Sequence, residues 1–440
     1  MTSAQQLSWR SLRMRSAGCA AVLALPLLLA ACGGSSGDDP LLRKTALGEV
    51  QGAADAASST YTWKGIPFAK PPVGALRWQA PQEPAAWTTT KATTSFGPAC
   101  AQYGRIYGPG ANNRYDATIG ATLNQAVGSE DCLYLNVWRP ATEDKNLPVI
   151  VFFHGGSNVS GYTADPMYDG AQLAKSANAI VVTPNFRLGI FGFLNLPQLK
   201  TGDASVDSGN FALLDSIKAL QFVRTNAAAF GGNPDNVTIM GQSAGAINVW
   251  ALQTSPQMVA AKPQLFQRVV PLSGGISMAS NLPAGSLPTL NTASVALAQG
   301  NALVQNLAIA DGLASDAASA QAYLASLSKE QVAEYLRSKT PAQLLGVLLT
   351  RLAAAGLGGS GPIPDGTVVA SDPIAAINAG NYLKVPVLAG NTRDEGKLFS
   401  AFLPLVGGTG NARLVTDAQL FANHLGYQPN AAAQTKVEEW

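Results

Sequence analysis

The chain has 440 residues, 47% of them hydrophobic, with 29 Lys and Arg against 27 Asp and Glu and a formal net charge of +2. That composition excludes a disordered or fibrous chain, and the near balance of charge excludes the basic face that nucleic-acid binding needs. A chain of this length buries a sizeable core, either as two or three domains or as one decorated α/β domain.

In chain order, the first segment is set apart from the rest. Arg10, Arg13 and Arg15 form a basic start, and residues 17–31 then run without a charge and include Pro26. This predicts an export signal over residues 1–31, too short for a spanning helix, which needs about 20 apolar residues. Leu29-Ala30-Ala31-Cys32 resembles a bacterial lipoprotein processing box. Cys32 would then carry lipid, residues 32–40 would form a flexible tether, and the folded domain would occupy 41–440. The expected location is the bacterial cell envelope, with membrane contact through lipid on Cys32. An ordinary signal peptide cut near this point, giving a periplasmic or secreted protein, is the alternative.

Export changes how the cysteines are read. Cys19 leaves with the signal and Cys32 carries lipid, so Cys100 and Cys132 remain as a pair in an oxidising compartment. A disulfide is the simplest account, worth roughly 3 to 4 kcal/mol on the chain-entropy model, and two free thiols are the alternative. A metal centre would lack ligands, because no histidine lies near either thiol.

Apolar runs of strand length then alternate with helix-like stretches, which predicts an α/β fold with a largely parallel central sheet covered on both faces. The clearest strands are residues 147–153, 179–183, 236–240, 268–272 and 385–389. Residues 210–225 carry Phe211, Leu213, Leu214, Ile217, Leu220, Phe222 and Val223 at roughly helical spacing. From 290 to 345 the sequence turns to Ala, Leu, Ser and Gln, with helix-length stretches such as 326–337, and predicts a helical insertion.

The chemistry concentrates in Gly241-Gln242-Ser243-Ala244-Gly245, a G-x-S-x-G run directly after one predicted strand and before a helical stretch at 246–252. A serine on so sharp a turn needs small neighbours, and the turn aims the first N–H groups of the helix at an oxygen gaining negative charge. His154-Gly155-Gly156-Ser157 follows the strand at 147–153, where a glycine turn presents further backbone donors. His154 is expected to orient that loop rather than to act as a base.

These motifs do not stand alone. Gly65-Ile66-Pro67-Phe68-Ala69, Leu76-Arg77-Trp78, Glu130-Asp131-Cys132-Leu133-Tyr134-Leu135-Asn136-Val137, Asn185-Phe186-Arg187-Leu188-Gly189 and Phe230-Gly231-Gly232-Asn233-Pro234 occur in an order that resembles the type-B carboxylesterase family. The resemblance runs from about residue 48 to 396. It implies the α/β-hydrolase fold and a serine esterase acting on a small-molecule ester, with no cofactor. By resemblance, Ser243 matches the nucleophile, and Gly156, Ser157 and Ala244 match the residues whose N–H groups form the oxyanion hole. Glu395, in Gly390-Asn391-Thr392-Arg393-Asp394-Glu395, matches the triad acid in preference to Asp394. Cys100 and Cys132 match the family's first disulfide. Arg77 with Glu130, and Arg187 with Asp215, look like its internal ion pairs. Ser157 stands where many members have a third glycine.

The sequence departs from the family at the base. The family's catalytic histidine lies in a motif well downstream of the acid, and the sole later histidine here is His424, in Asn423-His424-Leu425-Gly426. Its surroundings resemble a packing helix more than a catalytic loop. The expectation is therefore a chain truncated before the histidine loop, the last sheet strand and the terminal helices. The alternative is a non-catalytic esterase-like binding protein.

Overall fold

Alternation of buried and half-exposed positions along 147–153 is what a strand covered more tightly on one face than the other produces, and that strand is the axis of the fold. The computed structural model describes residues 39–105, 108–283 and 288–395. The export signal, Cys32, most of the tether and His424 lie outside the described residues. The fold is that of the unit beginning at Pro40.

In chain order the strands are β1 (Leu42–Thr45), β2 (Gly48–Gln51), β3 (Ala53–Asp55), β4 (Thr60–Pro67), β5 (Lys91–Ala92), β6 (Gln102–Tyr103), β7 (Ala126–Val127), β8 (Tyr134–Pro140), β9 (Leu147–Phe153), β10 (Ile180–Pro184), β11 (Gly232–Gln242) and β12 (Arg268–Leu272). Seven of them form the main sheet, in the order β12-β11-β9-β10-β8-β4-β3. The β12-β11-β9-β10 block is parallel, and β8, β4 and β3 add to it antiparallel. β1, β2 and β5 make a small separate sheet, and β6 pairs with β7.

β9 and β12 match their sequence-predicted bounds, β10 is displaced by one residue, and β11 begins earlier, at Gly232, across a register shift. The stretch 385–389 is not a regular strand. Within it only Val387 bridges β12, at Val269, and Gly390 just beyond it bridges Leu272. The reason is chemical: Pro386 has no N–H, so it only accepts, from Val269 N–H at 3.0 Å.

The helix Phe211–Asn226 is almost wholly buried and contributes Leu213, Ala219 and Leu220 to the core beneath the sheet. The insertion is helical as expected: Ala293–Ala310, Ala317–Ala325, Lys329–Ser338 and Pro341–Val347. Each helix begins at a side-chain cap, Thr292, Asp316, Ser328 or Thr340. The expected start near 326 moves to Lys329, because the Ser328 hydroxyl accepts from Gln331 N–H at 3.2 Å while the Gln331 side chain accepts from Ser328 N–H at 2.7 Å.

Arg77 ties this insertion to the segment that leads into β8. Arg77 donates to Glu130 at 2.6 and 2.5 Å, and its remaining nitrogen reaches the carbonyls of Leu336, Arg337 and Lys339, at and just past the end of Lys329–Ser338. A guanidinium suits that position, because a helix C-terminus presents unsatisfied carbonyls and partial negative charge. Beside it, Cys100 and Cys132 form a buried disulfide. Arg187 pairs with Asp215 through bonds of 2.8 and 2.7 Å, both residues buried. Among the described residues, no helix is long and apolar enough to cross a membrane.

Candidate active site

Parallel strands bring their carboxyl ends to one side of a sheet, and the crevice there is where α/β proteins place ligands. Here β9, β11 and β12 end level with one another: Gly241 pairs with both Phe153 and Pro271, and Gln242 pairs with Leu272. Ser243 is the next residue, and it starts the helix Ala244–Thr254 with φ 56° and ψ −123°. Those angles suit glycine and cost a serine about 1–3 kcal/mol, so the surroundings must enforce them.

They do so by crowding. Ser243 N–H donates to Leu272 carbonyl at 2.9 Å, and Ser243 carbonyl accepts from Ile247 N–H at 3.1 Å. A Cβ on Gly245 would overlap the Phe153 carbonyl, and one on Gly241 would overlap the Gly245 carbonyl, so both positions require glycine. Ser243 itself is partly exposed, while Ala244 and Gly245 are buried.

The His-Gly-Gly loop leaves β9 and lies against this corner. A Cβ built on Gly155 would sit 3.0 Å from Ser243 Cβ and 3.0 Å from Gln242 carbonyl, so the loop backbone is as near to the serine as a glycine allows. The backbone turns back at Gly156, Ser157 and Asn158, with φ of 107°, 56° and 56°. Among the described residues, none accepts a hydrogen bond from the N–H of Gly156, Ser157 or Ala244.

His154 is not available for proton transfer. It is buried, its Nδ1–H donates to Gly155 carbonyl at 2.8 Å, and its ring stacks on Phe186 at 4.5 Å. Burial pulls its pKa down to about 4, against a weaker opposing effect of the Gly155 bond, so it is neutral and serves the loop.

Glu395 approaches from the far side of β12. Its carboxylate accepts from Thr392 N–H at 3.2 Å, and the Ser273 side chain lies beside it. The Ser273 side chain, above all, holds its pKa below the usual range, with burial opposing and Thr392 adding to it. Ser273 directly follows the residue that receives the Ser243 N–H bond, and it too is left-handed, with φ 55°. Asp394 instead faces the well-exposed Arg393. Sequence reasoning missed Ser273, although the Ser-Gly-Gly run after a predicted strand was a usable signal. Among the described residues no cluster of His, Cys, Asp or Glu could hold a metal ion.

A hollow lies near Asn158, and neither Ser243 nor residues 154–158 line it. Ile190, Phe193, Leu290, Leu352, Leu357 and Ile363 line it, and none of its lining residues is charged. Gly361, also in its wall, lies close enough that a Cβ there would be 3.7 Å from Asn158 Nδ2.

A mixed, mostly parallel sheet carrying a serine on a strained strand-to-helix turn defines the α/β class built around a nucleophile elbow. The carboxylesterase family profile matches residues 39–437, and the chain belongs to that family. The para-nitrobenzyl esterase of Bacillus subtilis (strain 168) is 36% identical over 358 residues, covering 81% of this chain and 63% of the relative. The acetylcholinesterase of Bungarus fasciatus is 33% identical, covering 86% of this chain and 57% of its own length. Among solved structures, Geobacillus stearothermophilus carboxylesterase EST55 superposes with a TM-score of 0.64 at 33% identity, over 83% of this chain and 64% of that one. The chain thus spans 57–63% of the length of these two curated relatives.

Proposed function

We propose that this chain carries the nucleophile and oxyanion half of a serine carboxylic-ester hydrolase. Ser243 Oγ attacks the ester carbonyl carbon, and the N–H groups of Gly156, Ser157 and Ala244 receive the oxygen as it becomes negative. The C–O bond to the alcohol breaks, the alcohol leaves with a proton, and water then hydrolyses the acyl-enzyme to release the acid. Glu395 orients the imidazolium that forms on the base. The base is a histidine from outside the described residues, since His154 is buried, neutral and bonded to its own loop. No cofactor takes part in the sequence. The observation that carries this reading is the contact of Gly155 with Ser243: it brings donors with no other acceptor among the described residues to the one side chain held at a strained corner.

The test is hydrolysis of a short-chain p-nitrophenyl ester, together with labelling by a fluorophosphonate, using this chain and Ser243→Ala. Loss of the label is expected in the variant, while turnover by a chain that lacks the base should stay within about a thousandfold of the uncatalysed rate. Equal labelling of both proteins would sink the proposal. Neither turnover nor label in the unmodified chain would favour a binding protein on an esterase fold.

A further inference from the structure

Asn158 and Asn248 are both fully buried, and nothing in the proposed reaction uses their side chains. Asn158 Nδ2 donates to Asn248 Oδ1 at 3.3 Å, and Asn248 Nδ2 donates back to Asn158 Oδ1 at 2.9 Å. The two amides close a ring between segments separated by 90 residues. Asn158 follows Ser157 in the His-Gly-Gly loop, while Asn248 stands one turn past Ala244 in the helix Ala244–Thr254. The ring therefore joins the loop that supplies two of the proposed donors to the helix that supplies the third.

We propose that Asn158 and Asn248 are a positioning pair that sets the spacing between the two halves of the oxyanion donor set. Asparagine is well suited on the loop side. Position 158 is left-handed with φ 56°, which asparagine tolerates better than most side chains, and its backbone carbonyl is also anchored by Gly189 N–H at 2.7 Å. An amide supplies one donor and one acceptor on the same plane, so two amides satisfy each other only in one relative placement. With consecutive left-handed residues at 157 and 158, the loop has no ladder or helix to hold it; turn bonds from Val159 and Ser160 N–H to the Gly156 carbonyl shape it, and the ring ties it to the helix. This inference rests on the serine-esterase reading.

The experiment compares the full chain with Asn158→Gly, Asn248→Ala and the double variant, measuring Tm and the fluorophosphonate constants kinact and KI. Asn158→Gly keeps the backbone conformation but strands a buried amide, so Tm is expected to fall, then to recover when Asn248→Ala removes that amide. In the double variant kinact should stay about 10- to 100-fold low with KI unchanged, because donor placement is lost although the fold is restored. Asn248→Ser, which keeps a donor and an acceptor with less loss of volume, should give an intermediate kinact. Recovery of kinact together with Tm in the double variant, or a wild-type kinact in Asn248→Ser, would overturn the inference and leave Ser243 as nucleophile intact. An unmodified chain that takes no label at Ser243 would overturn the esterase reading and this inference with it.

Discussion

Two neighbouring regions of this molecule are built on opposite terms. At the carboxyl ends of β9, β11 and β12, Ser157, Asn158, Ser243 and Ser273 all hold left-handed backbone at φ between 55° and 56°, with glycines packed backbone to backbone around them. On the shelf formed by the Cys100–Cys132 disulfide, Arg77 with Glu130 and Arg187 with Asp215, charges are buried but meet opposite charges and carbonyls. The first region carries strain of about 1–3 kcal/mol per residue, and the second supplies cross-links between distant segments that keep the scaffold from relaxing it. The lesson is that the corner is costly where it offers chemistry, and that the cost is carried by a rigid surround rather than by the corner itself.

The sharpest way to break that comparison is to remove support from the shelf. Arg187→Ala leaves the fully buried Asp215 without its charged partner, so stability is expected to drop by about 3–5 kcal/mol. Urea unfolding measures it, with Arg224→Ala as the control, since Arg224 pairs with a mostly exposed Asp235 and is worth about 1 kcal/mol or less. Similar losses in the two variants would mean that the shelf is no more than ordinary surface.

Next in size is a pH effect from the loop. As pH falls below the ordinary histidine value of 6.5, the unfolded chain binds a proton that buried His154, held at about 4, does not. Its contribution to stability is complete above 6.5 and is lost as pH falls toward about 4, on the order of 3 kcal/mol in all. Urea midpoints across that window should fall less steeply in His154→Asn, whose amide nitrogen can take the place of Nδ1. A slope unchanged by the substitution would remove His154 from the account.

The smallest expected effect has the opposite sign. Ser243→Gly relieves a backbone conformation that glycine adopts freely, so stability should rise by about 1 kcal/mol while the fluorophosphonate label disappears. A lower urea midpoint would show that the corner is not strained.

Much of the site was legible because its parts are local. Gly241 to Gly245 and His154 to Ser157 each directly follow an apolar strand, and β9 and β12 are short runs bounded as their composition suggests. The antiparallel half was not legible as strands: β4 pairs with β8 across some 70 residues, and no local pattern announces that partner. Pro386 was read as part of an apolar run, and its missing N–H leaves that run a single bridge, at Val387. Ser273, Asn158 and Asn248 are ordinary polar residues until the fold sets them against Glu395 and against each other.

By itself, the order of residues determined the α/β class, the family, the serine corner, the loop that faces it and the cysteine pair, because each rests on neighbours in the chain or on a motif in a fixed order. Tertiary structure alone decided that Gly155 would touch Ser243, that Ser273 would lie beside Glu395, and that two asparagines 90 residues apart would close a ring. Those contacts depend on the register of β9, β11 and β12, which many dispersed apolar side chains fix together and no single segment encodes.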